Sequence, residues 1–126
     1  MDRHLHTTTL SRDDREVARA RQLVATTLHD WGVDVEVPVV EILVSELVTN
    51  ALVHGDGDIG LQLVADDHRV LLEVTDDGGT PTAPHIADHR GVGGWGLRLV
   101  DRLASRWGAE KTPHRTRVWT EIPAYA

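Results

Sequence analysis

The sequence predicts an α+β fold, a two-layer sandwich in which a mainly antiparallel sheet carries three helices on one face. Three observations predict it. Apolar side chains recur at helical spacing in two successive segments of the first half, a pair of strand-like runs joined by a short acidic turn follows, and a third helical segment precedes one cleanly alternating strand. The 126 residues, 40% of them hydrophobic, suit a single domain with one core over residues 1–126.

Each element has its own signal. After a polar lead with the β-prone stretch Thr7, Thr8, Thr9 and Leu10, Ser11 reads as an N-cap with Asp13 and Asp14 in the first turn. Val17, Ala20, Leu23, Val24, Leu28 and Trp31 then mark a first helix that should end near Gly32. Asp34 and Pro38 start a second helix, which should stop at Gly55 in a left-handed conformation. The runs 59–65 and 69–75, rich in Val and Leu and separated by Asp66, Asp67 and His68, read as an antiparallel hairpin. Leu97, Leu99, Val100, Leu103 and Ala104 give a third helix ended by Trp107 and Gly108. The run 116–122 closes the sheet as a third strand, with Val118, Thr120 and Ile122 on one face.

Composition removes several function classes. A net charge of −7, no basic run and few aromatics argue against a nucleic-acid partner. The start resembles no signal peptide and no apolar run reaches the roughly 20 residues that span a bilayer, so a cytoplasmic protein with no membrane partner is expected. Without cysteine there are neither disulfides nor thiolate metal sites.

The second helix carries the most informative residues. Glu46, Asn50 and His54 fall at i, i+4 and i+8, a polar stripe within a segment whose Ile42, Leu43, Leu47, Val48, Ala51 and Leu52 leave little surface for solvent. A carboxylate and an amide there need partners, either donors from the protein or a bound polyphosphate with its metal. Two glycine-rich segments lie downstream. The strand 69–75 runs into Asp76, Asp77, Gly78, Gly79, Thr80 and Pro81. The segment Gly91, Val92, Gly93, Gly94, Trp95, Gly96 and Leu97 opens the third helix. Between them, residues 78–93 hold Pro81, Pro84, His85 and His89 without periodicity, too long for an ordinary connection and therefore a candidate lid.

An Asn-bearing helix, a strand ending in Asp-Xaa-Gly, a long loop and Gly-Xaa-Gly-Leu opening a helix together resemble the GHKL ATPases, a superfamily that includes gyrase, histidine kinases and mismatch-repair ATPases. Within it the wording Glu46-Leu47-Val48-Thr49-Asn50-Ala51-Leu52-Val53-His54 is similar to anti-sigma-factor serine/threonine kinases of the actinobacterial type. The resemblance covers about residues 11–123 and implies the Bergerat ATP-binding fold.

By that resemblance Asn50 is the ligand of Mg²⁺, which takes few protein ligands beside phosphate oxygens. Glu46 accepts a proton from the attacking water or hydroxyl. Asp76 pairs with the exocyclic amine of adenine, and Gly78 lets the backbone pass close to the base. Gly94, Trp95, Gly96 and Leu97 hold the phosphates at a helix N-terminus. The cofactors implied are ATP and Mg²⁺. The partners implied are an anti-sigma-factor antagonist protein, a sigma factor and a second copy in a homodimer.

Departures and competing readings bound the assignment. Thr80 stands where relatives have the last glycine of Asp-Xaa-Gly-Xaa-Gly, and Trp95 where they often have a polar or basic residue. Relatives also place a threonine of the last strand near the nucleotide; Arg117 aligns there, with Thr116 one position before, and no role is carried to either. Gly91, Gly93 and Gly96 satisfy G-x-G-x-x-G but lack the strand that a dinucleotide fingerprint requires, and no Walker A lysine occurs. Arg90 and Arg98 read as solvated cations, His54 as a structural residue, and the pairs His4/His6 and His85/His89 as incidental surface histidines rather than a zinc site. The expected function is a serine-protein kinase acting on a small antagonist in transcription regulation. The alternatives are a non-catalytic, nucleotide-gated protein-binding switch and, without a dimerisation helix to support it, a detached sensor-kinase domain.

Overall fold

The computed structural model describes residues 3–78 and 94–125, and for 94–97 the backbone alone. Its elements in chain order are β1 (His4–Leu10), α1 (Arg15–Asp30), α2 (Val37–His54), β2 (Ile59–Ala65), β3 (Arg69–Asp76), α3 (Gly94–Leu103), β4 (Arg106–Thr112) and β5 (Arg115–Pro123). The strands form one antiparallel sheet in the order β1-β2-β3-β5-β4, and the helices lie against it as the sequence predicts.

Period-two alternation makes the layer. On β2, β3 and β5 the side chains of Ile59, Leu61, Leu63, Val70, Leu72, Val74, Val118 and Ile122 point to the helical side and are buried. They meet Val24 and Leu28 of α1 and Val40, Leu43, Val44, Leu47, Val48 and Ala51 of α2 in one core. The β2–β3 turn is held as an Asx turn, with Asp66 Oδ1 accepting from the N–H groups of His68 at 2.8 Å and Arg69 at 3.0 Å.

Several expectations are corrected. The sheet has five strands where the sequence signals three. β1 extends the β-prone lead back to His4, whose ring stacks on Trp31 with centroids 4.9 Å apart. The third helix ends at Leu103, and Trp107 and Gly108, read as its stop, lie inside the edge strand β4. That strand pairs only with β5 and is mostly exposed, so its sequence needs no apolar alternation.

The helix ends differ too. Ser11 lies before α1 instead of capping it; its N–H and hydroxyl both donate to Glu16 Oε1 at 3.0 Å. α2 starts at Val37 with Pro38 in its first turn, while Asp34 accepts the Tyr125 N–H on its carbonyl at 2.8 Å. Gly55 is extended, at φ −93° and ψ −170°, and not left-handed. Gly32 after α1, at φ 67°, is left-handed.

α2 is long and apolar enough in composition to cross a membrane, yet only one face of it is core. Ile42 and Val53 are 40% and 66% exposed, so the stripe carrying Glu46 borders an open face instead of a closed apolar shell. Carbonyls at and just beyond the end of α2, where helical donors run out, converge on Arg12. Its Nη2 donates to the oxygens of Ala51 at 2.9 Å, Leu52 at 2.8 Å and Gly55 at 3.1 Å, and its Nη1 to that of Gly57 at 3.1 Å.

Candidate functional site

The end of α2 and the end of β3 meet at Gly55 and Asp76. Asp76 is the last residue of β3 and faces the helical layer with 6% of its surface exposed. A Cβ on Gly55 would overlap its carboxylate, so the helix end approaches Asp76 as closely as a backbone can. Beyond this contact the Asp77 N–H donates to the Asp56 carbonyl at 2.8 Å, tying the two chain segments together.

The carboxylate is fixed from the other side by Gly78, whose N–H donates to Asp76 Oδ1 at 2.7 Å. Gly78 sits at φ 105°, a conformation that favours glycine, and a Cβ there would lie 3.0 Å from the Arg115 nitrogen. Burial pushes the Asp76 carboxyl above its ordinary range, against the pull of backbone hydrogen bonds from Gly78 and Asp56 and of the charges on Arg12 and Lys111. A buried carboxylate held by backbone N–H groups retains lone pairs that suit a ligand bringing a further N–H.

Glu46 and Asn50 lie on α2 one turn apart and are both partly exposed. Among the described residues neither the Glu46 nor the Asn50 side chain has a hydrogen-bond or ion-pair partner, whereas His54 is engaged. Burial alone raises the Glu46 carboxyl above its ordinary value. At 1.5 Å per residue, Asn50 stands about 7.5 Å along the helix from Gly55 and Glu46 about 6 Å further. The order along α2 is therefore Asp76 against Gly55, then the amide, then the carboxylate, a line along which a nucleoside triphosphate can lie base first.

α3 packs beside α2, and Gly94, Trp95, Gly96 and Leu97 belong to its first described turn. Residues 79–93, with Thr80, His85, His89 and Arg90 of the expected lid, lie outside the described residues. Arg98 is exposed on α3 and His54 is partly exposed in the last turn of α2; both are engaged with neighbours. Among the described residues no three His, Asp or Glu side chains are placed to hold a metal.

Three residues here carried no role in the sequence reading. Thr116 lies directly opposite Asp76 in the β3–β5 register and is buried on the same face, whereas Arg117 points to the other face, paired with Glu73 and Glu110. Extending the Val118, Thr120 and Ile122 alternation back by two residues would have placed it. Arg12 and Lys111, whose Nζ donates to the Gly78 carbonyl at 2.7 Å, act through backbone oxygens and leave no side-chain pattern to detect.

No curated protein matches the chain. The histidine kinase-like ATPase domain family matches residues 10–122, from the last residue of β1 almost to the end of β5. That span contains every site residue above, and the α+β sandwich agrees with it. The chain belongs to the histidine kinase-like ATPase domain family, and it binds ATP.

Proposed function

We propose that this domain is a Mg²⁺-dependent protein serine kinase acting on a small antagonist protein, in the manner of the anti-sigma-factor kinases its α2 wording resembles. When the antagonist is unavailable it sequesters a sigma factor and so regulates transcription. The observation that carries the catalytic part is Glu46: a half-buried carboxylate without a protein partner among the described residues, on the helix that also presents Asn50.

Desolvation makes that carboxylate a stronger base than a solvated one, which is what proton removal from a hydroxyl requires. The Asn50 amide fits a hard cation that takes most of its oxygens from phosphate; when bound, Mg²⁺ neutralises charge on the β- and γ-phosphates. Asp76 accepts the amino group of adenine and fixes the base end. The first-turn N–H groups of α3 hold the phosphates. Glu46 then takes the serine proton as the serine oxygen bonds to the γ-phosphorus, and the bond from that phosphorus to the β–γ bridging oxygen breaks, leaving ADP.

Incubation with γ-labelled ATP and a candidate anti-sigma-factor antagonist protein tests the reading. Label should appear on an antagonist serine with the wild-type protein and vanish with Glu46→Gln. Tight ATP binding without transfer or hydrolysis would instead support the nucleotide-gated switch, the reading that Trp95 in the phosphate turn and Thr80 in place of a hinge glycine favour.

A further inference from the structure

Lys111 is the only lysine in the chain, and it stands on an edge strand that alternation does not signal. Its Nζ reaches from β4 to the Gly78 carbonyl at 2.7 Å. The N–H of the same glycine holds Asp76 Oδ1 at 2.7 Å. One residue thus links an ammonium group on β4 to the buried carboxylate on β3. The β4–β5 turn closes the arrangement, since a Cβ on Gly78 would meet the His114 carbonyl carbon at 3.2 Å and the Pro113 oxygen at 3.4 Å. Gly78 lies two residues after Asp76, so its orientation sets the direction of the Asp76 carboxylate.

A lysine on a surface hairpin ordinarily gains little from a single carbonyl contact, because its stem is flexible and its head well solvated. This one has geometry in its favour. The carbonyl belongs to a glycine already pinned on two sides, and the ammonium lies close enough to act on the Asp76 charge. The Gly78 carbonyl and N–H belong to adjoining peptides joined at its Cα, so removing Lys111 loosens the placement of the whole residue, which weakens the N–H on Oδ1 and lets the carboxylate turn away from the position where a purine amino group is met.

We propose that Lys111 is a positioning residue for base selection: by holding the Gly78 carbonyl it fixes the Asp76 carboxylate in the direction that accepts the amino group of adenine. This rests on the reading of Asp76 as the base acceptor. Lys111 acts through Gly78 and makes no contact with the base itself.

The test is a cycle of Lys111→Met, Asp76→Asn and the double variant, with Lys111→Arg as the conservative control, in which ATP and GTP dissociation constants are measured by calorimetry. Lys111→Met should weaken ATP binding about tenfold, as loss of a charge-assisted hydrogen bond does, and GTP binding much less. Lys111→Arg should recover most of the ATP preference. In the Asp76→Asn background Lys111→Met should add almost nothing, because its effect passes through that carboxylate. An undiminished ATP preference in Lys111→Met, or full additivity in the double variant, would overturn the proposal while leaving Asp76 as base acceptor. Absence of any ATP preference in the wild type would overturn both. Amide exchange at Gly78 in the nucleotide-free protein separates positioning from global damage: it should quicken in Lys111→Met while the β3 amides of Leu72 and Val74 stay protected, and equal quickening throughout β3 would contradict the account.

Discussion

Gly55 and Asp76 are in backbone-to-carboxylate contact, with no room for a methyl group between them. Because Gly55 is extended, its backbone conformation is open to any residue, and it is space alone that requires glycine. The contact joins the helix that presents Glu46 and Asn50 to the strand that presents Asp76. Gly55→Ala should therefore displace the carboxylate, cost roughly 1–3 kcal/mol as overpacking does, and weaken ATP binding. Urea unfolding and calorimetric titration check the two effects, and an alanine variant with wild-type ATP affinity would show that the contact does not position Asp76.

Arg12 gathers four carbonyl oxygens at the end of α2. Arg12→Ala removes this charged donor from all four, although Ala51 keeps the Gly55 N–H, and should lower stability by roughly 1.5–3 kcal/mol, the range for hydrogen bonds from a charged donor. Arg12→Lys should recover only part of the loss, since a point charge cannot fork across separate oxygens. Equilibrium unfolding of both variants measures the difference.

Thr120 is fully buried in the sheet layer, and its hydroxyl has no hydrogen-bond partner among the described residues. Thr120→Val keeps the shape and removes the unanswered group, so it should raise stability by about 1 kcal/mol. A fall in the unfolding midpoint would mean that the hydroxyl is bonded.

Glu46→Gln should separate folding from chemistry. Burial raises the folded-state pKa of Glu46 above its ordinary 4.5, so between those two values the folded protein binds more protons than the unfolded one. Stability from this group is then present at low pH, falls as pH rises from 4.5 through the folded value, and stays lost above it. At neutral pH the glutamine variant should melt no lower than wild type, with any advantage shrinking below pH 4.5. Phosphoryl transfer should drop roughly 10²–10⁴-fold for want of a base. Melting curves from pH 4 to 8, run beside a transfer assay, test both halves.

The layered fold and the line of Glu46, Asn50 and Asp76 were legible because periodicity and short motifs carry them. The core faces of α2, β2, β3 and β5 repeat at the spacing their burial requires. The edge strand β4 was not legible, since a strand with one partner and an exposed surface has no apolar pattern to show. The capping of Gly55 was misread because glycine after a helix commonly signals a left-handed turn, whereas here it answers to the Asp76 carboxylate, a contact between residues far apart in sequence. Arg12 and Lys111 were hidden for the same reason: each serves backbone oxygens remote in the chain, and neither spacing nor residue type announces it.

The most direct test of the site is calorimetric titration of the nucleotide-free protein with ATP, with and without Mg²⁺, for wild type and Asn50→Ala. The account predicts that Mg²⁺ strengthens ATP binding to the wild-type protein and that Asn50→Ala loses this enhancement while keeping its Mg²⁺-free affinity. An alanine variant that retains the full Mg²⁺ enhancement would contradict the assignment of Asn50 as the metal ligand and, with it, the reading of the α2 stripe as the phosphate end of the site.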